Sequence, residues 1–429
     1  MINEIKKIIT NHPLLFFFIC YLSILLGFYI GENSIGGAKH DYIYHLVFVE
    51  GFKNNFSLTI KNFGSSNPDD FGTRNSPIFF IIFGMLNKIF QLDYLRILNT
   101  LMSLLIVITF YNCLLLKYKN IKKIELIILS SLLFLSPTIR SLSVWPYSLL
   151  WGLFFFLITI FYYLKFELIK KDIKYAILST LFLAIGSYFY LAFSVFGFFF
   201  ITQFIIKLNT IKKRTIIILL NILLALPAII FFYKKNFYFF NSEGLIINEY
   251  QRYNISNKIL IISSMIFYFC IPILIFNYKN IINKIFNKNY YSFKTIIFAI
   301  LITLFFTFNY PITNDFGGGF FFKISHLLFN NNYLFYFLSA ISLISILILF
   351  NKNKINYLIL FIILFLYNLQ FTIYNKYYEP LIFIVSFLIL ELNLEKNFFG
   401  KKNYITILFF FFISHYLISV GRIFLEIKF

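Results

Sequence analysis

The chain has 429 residues, 60% of them apolar and only 13% charged, and 38 Lys+Arg against 17 Asp+Glu give a net charge of +21. Soluble domains run at about 45–50% apolar and about 25% charged, so a soluble enzyme, a disordered protein and a disulfide scaffold are excluded and an all-α, multi-span membrane protein is implied. Phe and Tyr supply most of the 22% aromatic content, a bias that tracks overall composition and carries no functional signal.

In chain order, Lys6 and Lys7 precede an apolar run over 14–30 that lacks a small-residue cleavage pattern and reads as an uncleaved first span. Further runs lie at 94–116, 124–136, 147–164, 175–189, 190–206, 215–232, 259–277, 295–310, 333–350, 357–373, 381–394 and 404–420, which predicts about thirteen transmembrane helices. They form a single transmembrane domain over 1–429 with no separate soluble part. Placing the N-terminus and every second connection in the cytoplasm puts 23 of the 38 Lys+Arg there. The positive-inside rule thereby absorbs most of the surplus, and a nucleic-acid partner loses its support. The run over 78–90 is too short to cross and opens at Pro77, so it is predicted to be a juxtamembrane or re-entrant helix on the outer face. Cys20, Cys113 and Cys270 are far apart in apolar runs and read as buried thiols.

The longest outer connection, 31–93, carries the candidate chemistry. In KHDYIYHLVFVEGF, Asp41 and His45 are four apart and share a face of a short amphipathic helix. An aspartate there can take a proton from a hydroxyl, and a nearby histidine can orient it or share a metal. NPDDFGTRNSP follows, with Asp69 and Asp70 ahead of Arg74. Such carboxylates can hold a divalent ion or act as a base, and arginine matches phosphate oxygens in a bidentate way. A solvated helix face and a polar turn are the plain alternatives for the two segments. Arg140, Arg252 and Lys323 also fall on the outer side, where cations are sparse. TNDFGGGF, with three glycines beside Asp315, reads as a flexible loop or a mobile gate.

One span, a long outer loop with an early acid, an amphipathic helix, NSPIFFIIFGMLNKIF (75–90), DYLRILNTLMSLLIVITFYNCLLLKYK (93–119) with Arg96 before its span, and SPTIRSLSVWPYSLLWGLFFFLITIFYYLKF (136–166) occur in that order. This layout resembles the GT-C class of integral-membrane glycosyltransferases, in the style of protein O-mannosyltransferases and aminoarabinose transferases. The likeness covers roughly 14–210. It implies a hexosyl- or pentosyltransferase of glycan or lipopolysaccharide biosynthesis in the inner (plasma) membrane. Its active site would face the extracytoplasmic (periplasmic) side. A sugar would pass from a polyprenyl-phosphate donor to a lipid, glycan or protein acceptor. Asp41 would be catalytic, His45 and Asp70 would assist, and Asp69, Arg74, Arg140 and Arg252 would bind substrate. NKYYEP (375–380) is similar to an RY-x-x-P element of lipid-linked sugar transferases, which assigns Lys376, Tyr377 and Glu379 to substrate binding. No acid stands directly beside Asp41, so metal dependence stays open, with Asp41 and Asp70 the candidate ligands. The alternatives are a lipid-linked oligosaccharide flippase or an O-antigen polymerase or ligase.

Overall fold

A proline opens the first helix. Pro13 at the first turn of α1 (Pro13–Ile30) gives up only an N–H that has no helical partner, and Gly31 in the left-handed region closes it. The computed structural model describes residues 11–64, 75–235, 255–286, 290–307, 317–350, 353–367, 373–401 and 403–424, and the architecture is all-helical. These residues pack as two compact units. The N-terminal unit spans 9–119 and 126–246, and the C-terminal unit consists mainly of 247–429 with 120–125.

In the N-terminal unit α1 is followed by α2 (Ala38–Asn54), α3 (Phe56–Asn62), α4 (Pro77–Leu86) and α5 (Leu92–Lys117). The amphipathic segment around Asp41 is thus the helix its pattern predicts. The short apolar run after Pro77 is a ten-residue helix started by a Ser76 side-chain cap. Phe48 and Phe52 of α2, Phe63, and Phe79, Phe80 and Phe83 of α4 form one buried aromatic cluster. α2 and α4 touch so closely that a Cβ on Gly84 would stand 2.7 Å from the Phe52 Cβ. Next come α6 (Lys123–Ser131), continued by a 3-10 turn, and α7 (Pro137–Val144), at 63° to each other. α8 (Ser148–Leu168), α9 (Ile173–Phe189), a 3-10 turn with α10 (Gly197–Lys207), and α11 (Ile211–Lys234) complete the unit. The apolar stretch 175–206 divides where the sequence divides it, with Tyr190 extended at the joint.

The C-terminal unit contains α12 (Ile255–Phe286), α13 (Tyr290–Thr307), α14 (Gly319–Phe329), α15 (Tyr333–Phe350), α16 (Lys354–Phe361), α17 (Asn375–Leu388) and α18 (Tyr404–Phe424). α12 packs against α14, α15 and α17. Every residue of α17 from Lys376 onward is buried, so this helix is the centre of the unit.

Among the described residues seven helices are long and apolar enough to cross a membrane, or eight if the bent pair across Ser136 is one span. Helices stand at all thirteen of the apolar runs, but several, such as α9 with 17 residues, are short for a crossing. This is the architecture of a polytopic membrane protein. In α11 only Ile217 of 24 residues is buried, and Ile222, Leu223 and Ile230 stand exposed. Lipid is the solvent that tolerates such a helix.

Candidate functional site

The polar centre of the N-terminal unit is built on the helix ends that meet around α2. Asp41 lies in the first turn of α2, half-buried, where the helix N-terminus favours an anion. One turn on, His45 is buried. Its ring stacks on Tyr147 at 5.1 Å and meets Phe80 edge-on at 5.1 Å. Asn75 Nδ2 donates to His45 Nε2 over 3.2 Å. An amide nitrogen can only donate, so Nε2 is the acceptor. Asn75 directly precedes the Ser76 cap of α4, and the same short segment therefore orients the histidine and starts the helix.

Beside Asp41 is a second cluster. Tyr42 packs on Trp145 at 5.6 Å. The Arg96 guanidinium lies 4.4 Å from the Trp145 ring and 4.8 Å from Phe28, and the Lys39 ammonium lies 5.5 Å from Trp145. Burial pushes the Tyr42 phenol above its ordinary pKa, with Arg96 pulling it back and Asp93 and Glu50 pushing further. Tyr42 is therefore a neutral hydroxyl donor across the physiological range.

Arg140 is buried in a fork-to-fork pair with Glu32. Its Nε lies 2.8 Å from Glu32 Oε1, and its Nη2 lies 2.6 Å from Oε2. The remaining donors reach Ser23 Oγ, Ser23 O and Phe134 O. Gly27 makes room for this pair, since a Cβ there would clash with Glu32 Oε2. Arg140 thus ties the end of α1 to α7, and a ligand phosphate would have to displace Glu32 to reach it. The pattern of the sequence gave no sign of Glu32 as its partner. The available signal was a lone acid directly after the first span and a lone arginine in a buried connection.

An apolar cavity of about 490 Å³ opens beside α4. Its wall includes Ser76, Pro77 and Ile78 of that helix start, Tyr188 of α9, and Leu224 and Ala228 of α11. Tyr188 Oη donates to Leu224 O at 2.7 Å, close to Pro227, where the missing N–H loosens the helix ladder. The cavity wall and the His45 partner are consecutive residues, Ser76 and Asn75.

Asp69, Asp70, Arg74 and Arg252 lie outside the described residues, as does Asp315. Lys376, Tyr377 and Glu379 belong to the C-terminal unit. NKYYEP is not a connecting loop there but the first turns of α17, with Pro380 inside the helix, where its missing N–H leaves one backbone carbonyl without its helical partner. Lys376 is buried with its ammonium 5.4 Å from the Tyr374 ring and 5.3 Å from the Tyr377 ring. Glu379 Oε1 lies 3.5 Å from His415 Nε2. His415 was hidden in the sequence by the apolar run that surrounds it. Among the described residues, no group of three or more His, Cys, Asp or Glu stands together as a metal site.

No protein-family model, curated protein or solved structure matches this chain.

Proposed function

We propose that the protein is a membrane glycosyltransferase that takes a sugar from a polyprenyl-phosphate donor on the outer side of the membrane. The observation that supports this reading is the apolar cavity that shares the α4 start with the Asp41 helix. A lipid-linked sugar needs an apolar hollow for its tail and a polar corner for its reacting end. The cavity falls within the range of about 300–1,000 Å³ common for small-molecule sites.

In this mechanism the Asp41 carboxylate accepts the proton of the acceptor hydroxyl. The freed oxygen attacks the anomeric carbon, and the bond to the donor phosphate breaks with its electron pair on the phosphate. His45, held by Asn75 and Tyr147, orients Asp41 or the acceptor. Arg74 and Arg252 neutralise the departing phosphate, while Asp69 and Asp70 hold the acceptor or a divalent ion. Arg140 acts on substrate through the position of α1 and Glu32. Lys376 and Tyr377 are buried within the C-terminal unit.

The test is label transfer in membranes containing the protein, with a panel of polyprenyl-phosphate sugars and matched donors lacking the tail. The expected result is transfer from one tailed donor and none from its tail-less counterpart. Equal use of both would remove the role of the cavity, and no transfer from any donor would remove the reading.

A further inference from the structure

Residues 165–174 and 207–214 hold eight Lys+Arg against two acids, a surplus of six positive charges. The first stretch ends α8 and opens α9, and the second ends α10 and opens α11. The fold of the N-terminal unit gathers them. Lys207 Nζ lies 2.7 Å from Glu167 Oε2 and so joins the end of α10 to the end of α8. The charge of Lys213, in the first turn of α11, bears on Asp172 just before α9. Arg214 Nε donates to Leu208 O over 2.8 Å and folds the second stretch onto itself.

Both acids already have partners inside the rim. Glu167 faces Lys207, while Asp172 accepts from the Lys174 amide over 3.1 Å and lies 3.7 Å from the Lys170 ammonium. Lys171, Lys174, Lys212 and Lys213 stand exposed. Lys212, Lys213 and Arg214 occupy the start of α11 with no acid in its first turn. Cations at a helix start oppose the helix dipole, so they do not serve the helix. The positive-inside rule accounts for their number. It counts charges along the inserting chain and does not require that the folded chain bring two connections together. Between the lysines, Leu168, Ile169, Ile206 and Ile211 are exposed. A soluble polyanion would leave these apolar side chains in water. A lipid accepts both kinds of group, phosphate toward the ammoniums and acyl chain toward the apolar neighbours.

We propose that this rim binds the phosphate headgroups of anionic phospholipids. Lys171, Lys174, Lys212 and Lys213 supply the charge, and Leu168, Ile169, Ile206 and Ile211 lie against the upper acyl chains. Lysine suits the task, because a compact charge on a flexible stem follows a fluid headgroup layer without a fixed geometry. The Lys207–Glu167 pair keeps the two connections side by side, so that one patch of lipid meets both. This surface lies at the other end of α9 and α11 from the Tyr188 and Ala228 side of the cavity. It does not depend on the transfer reading and survives its failure.

The experiment uses the full-length protein in nanodiscs of zwitterionic phosphatidylcholine. A bimane fluorophore is attached at Asn209→Cys, an exposed position between α10 and α11, while Cys20, Cys113 and Cys270 are buried. Spin-labelled phosphatidylglycerol or spin-labelled phosphatidylcholine is included as the quencher at equal mole fraction. The expected result is quenching by the anionic lipid as though it were at least about fivefold enriched at the reporter, the share of one cation at an anionic surface. The preference should fall to about parity when Lys170→Gln, Lys171→Gln, Lys212→Gln and Lys213→Gln are combined, with melting curves as the check of folding. In the wild type it should also decline as salt rises from about 0.05 M to about 0.5 M, and this series decides the matter where the combined variant does not insert. Equal quenching by the two lipids in the wild type would overturn the proposal, as would a preference that persists in the folded variant or is indifferent to salt. Displacement of the lipid at constant ionic strength by millimolar inorganic phosphate or micromolar short DNA would make this a surface for a soluble anion and would overturn it as well.

Discussion

Arg140 and Glu32 of the N-terminal unit sit where helices begin and end, whereas Glu379 and His415 of the C-terminal unit sit within helices. At a helix end the backbone still has unpaired carbonyls and amides to offer. Arg140 uses them, reaching Ser23 O and Phe134 O besides its carboxylate. Inside α17 and α18 the backbone is already committed to the helix, and His415 meets side chains instead, the Tyr268 hydroxyl at Nδ1 and Glu379 Oε1 at 3.5 Å from Nε2. The first pair is saturated and holds the fold. The second leaves His415 Nε2 without a hydrogen bond.

Breaking the saturated pair should have the largest effect. Arg140→Ala leaves Glu32 buried and unmatched, a loss of about 3–5 kcal/mol. Thermal unfolding in detergent should show it as a collapse of folded yield. Replacing both partners, Arg140→Met with Glu32→Leu, should recover at least half of that loss; no recovery would mean that the ion pair is not the source of the stability. Glu379→Gln in the C-terminal unit should cost far less, because it trades one hydrogen-bonding group for another of the same shape.

Next in size is the cavity. Ala228→Trp in the cavity wall would fill space beside α4 without touching the polar centre. Transfer from a tailed donor should fall by about 10–100-fold, with the melting curve little changed. An unchanged rate would separate the cavity from the activity. A smaller effect is expected for Asn75→Ala, which removes the donor to His45 Nε2. The rate should fall by about 10-fold, the order expected when a supporting hydrogen bond is lost, and the pH profile should change with it. A uniform loss at all pH values would assign Asn75 to the α4 start alone.

The smallest prediction concerns Asp172, half-buried just before α9. Its carboxyl is held below the ordinary value chiefly by the hydrogen bond from the Lys174 amide, helped by nearby lysines. A depressed folded value means that the cap contributes above the ordinary carboxylate range and is lost as pH falls through the folded value. Hydrogen exchange at the Lys174 amide, compared with Asp172→Ala at the same pH, should therefore converge on acidification. A difference that persists in acid would contradict the cap.

Local patterns were legible in the sequence. The amphipathic α2, the proline-led α4 and the break between 189 and 190 follow from apolar spacing, from Pro77 and from the side of the membrane on which the basic connections must fall. The pairing of side chains was not. Arg140 and Glu32 are 108 residues apart, and Glu379 lies in a different helix from His415. Periodicity reports which face of a helix is apolar, and it cannot report which distant residue meets it. His415 was lost for a second reason: a single histidine among phenylalanines barely lowers the hydropathy of its run. The crossing count of thirteen runs into the same boundary, since helices of 17 residues or fewer can be spans, re-entrant segments or buried core elements.

The transfer assay with Asp41→Asn tests the central claim most directly. The account predicts that sugar transfer from the tailed donor falls by about a thousandfold or more, while the amount of protein in the membrane and its melting curve match the wild type. Wild-type turnover in folded Asp41→Asn would contradict it.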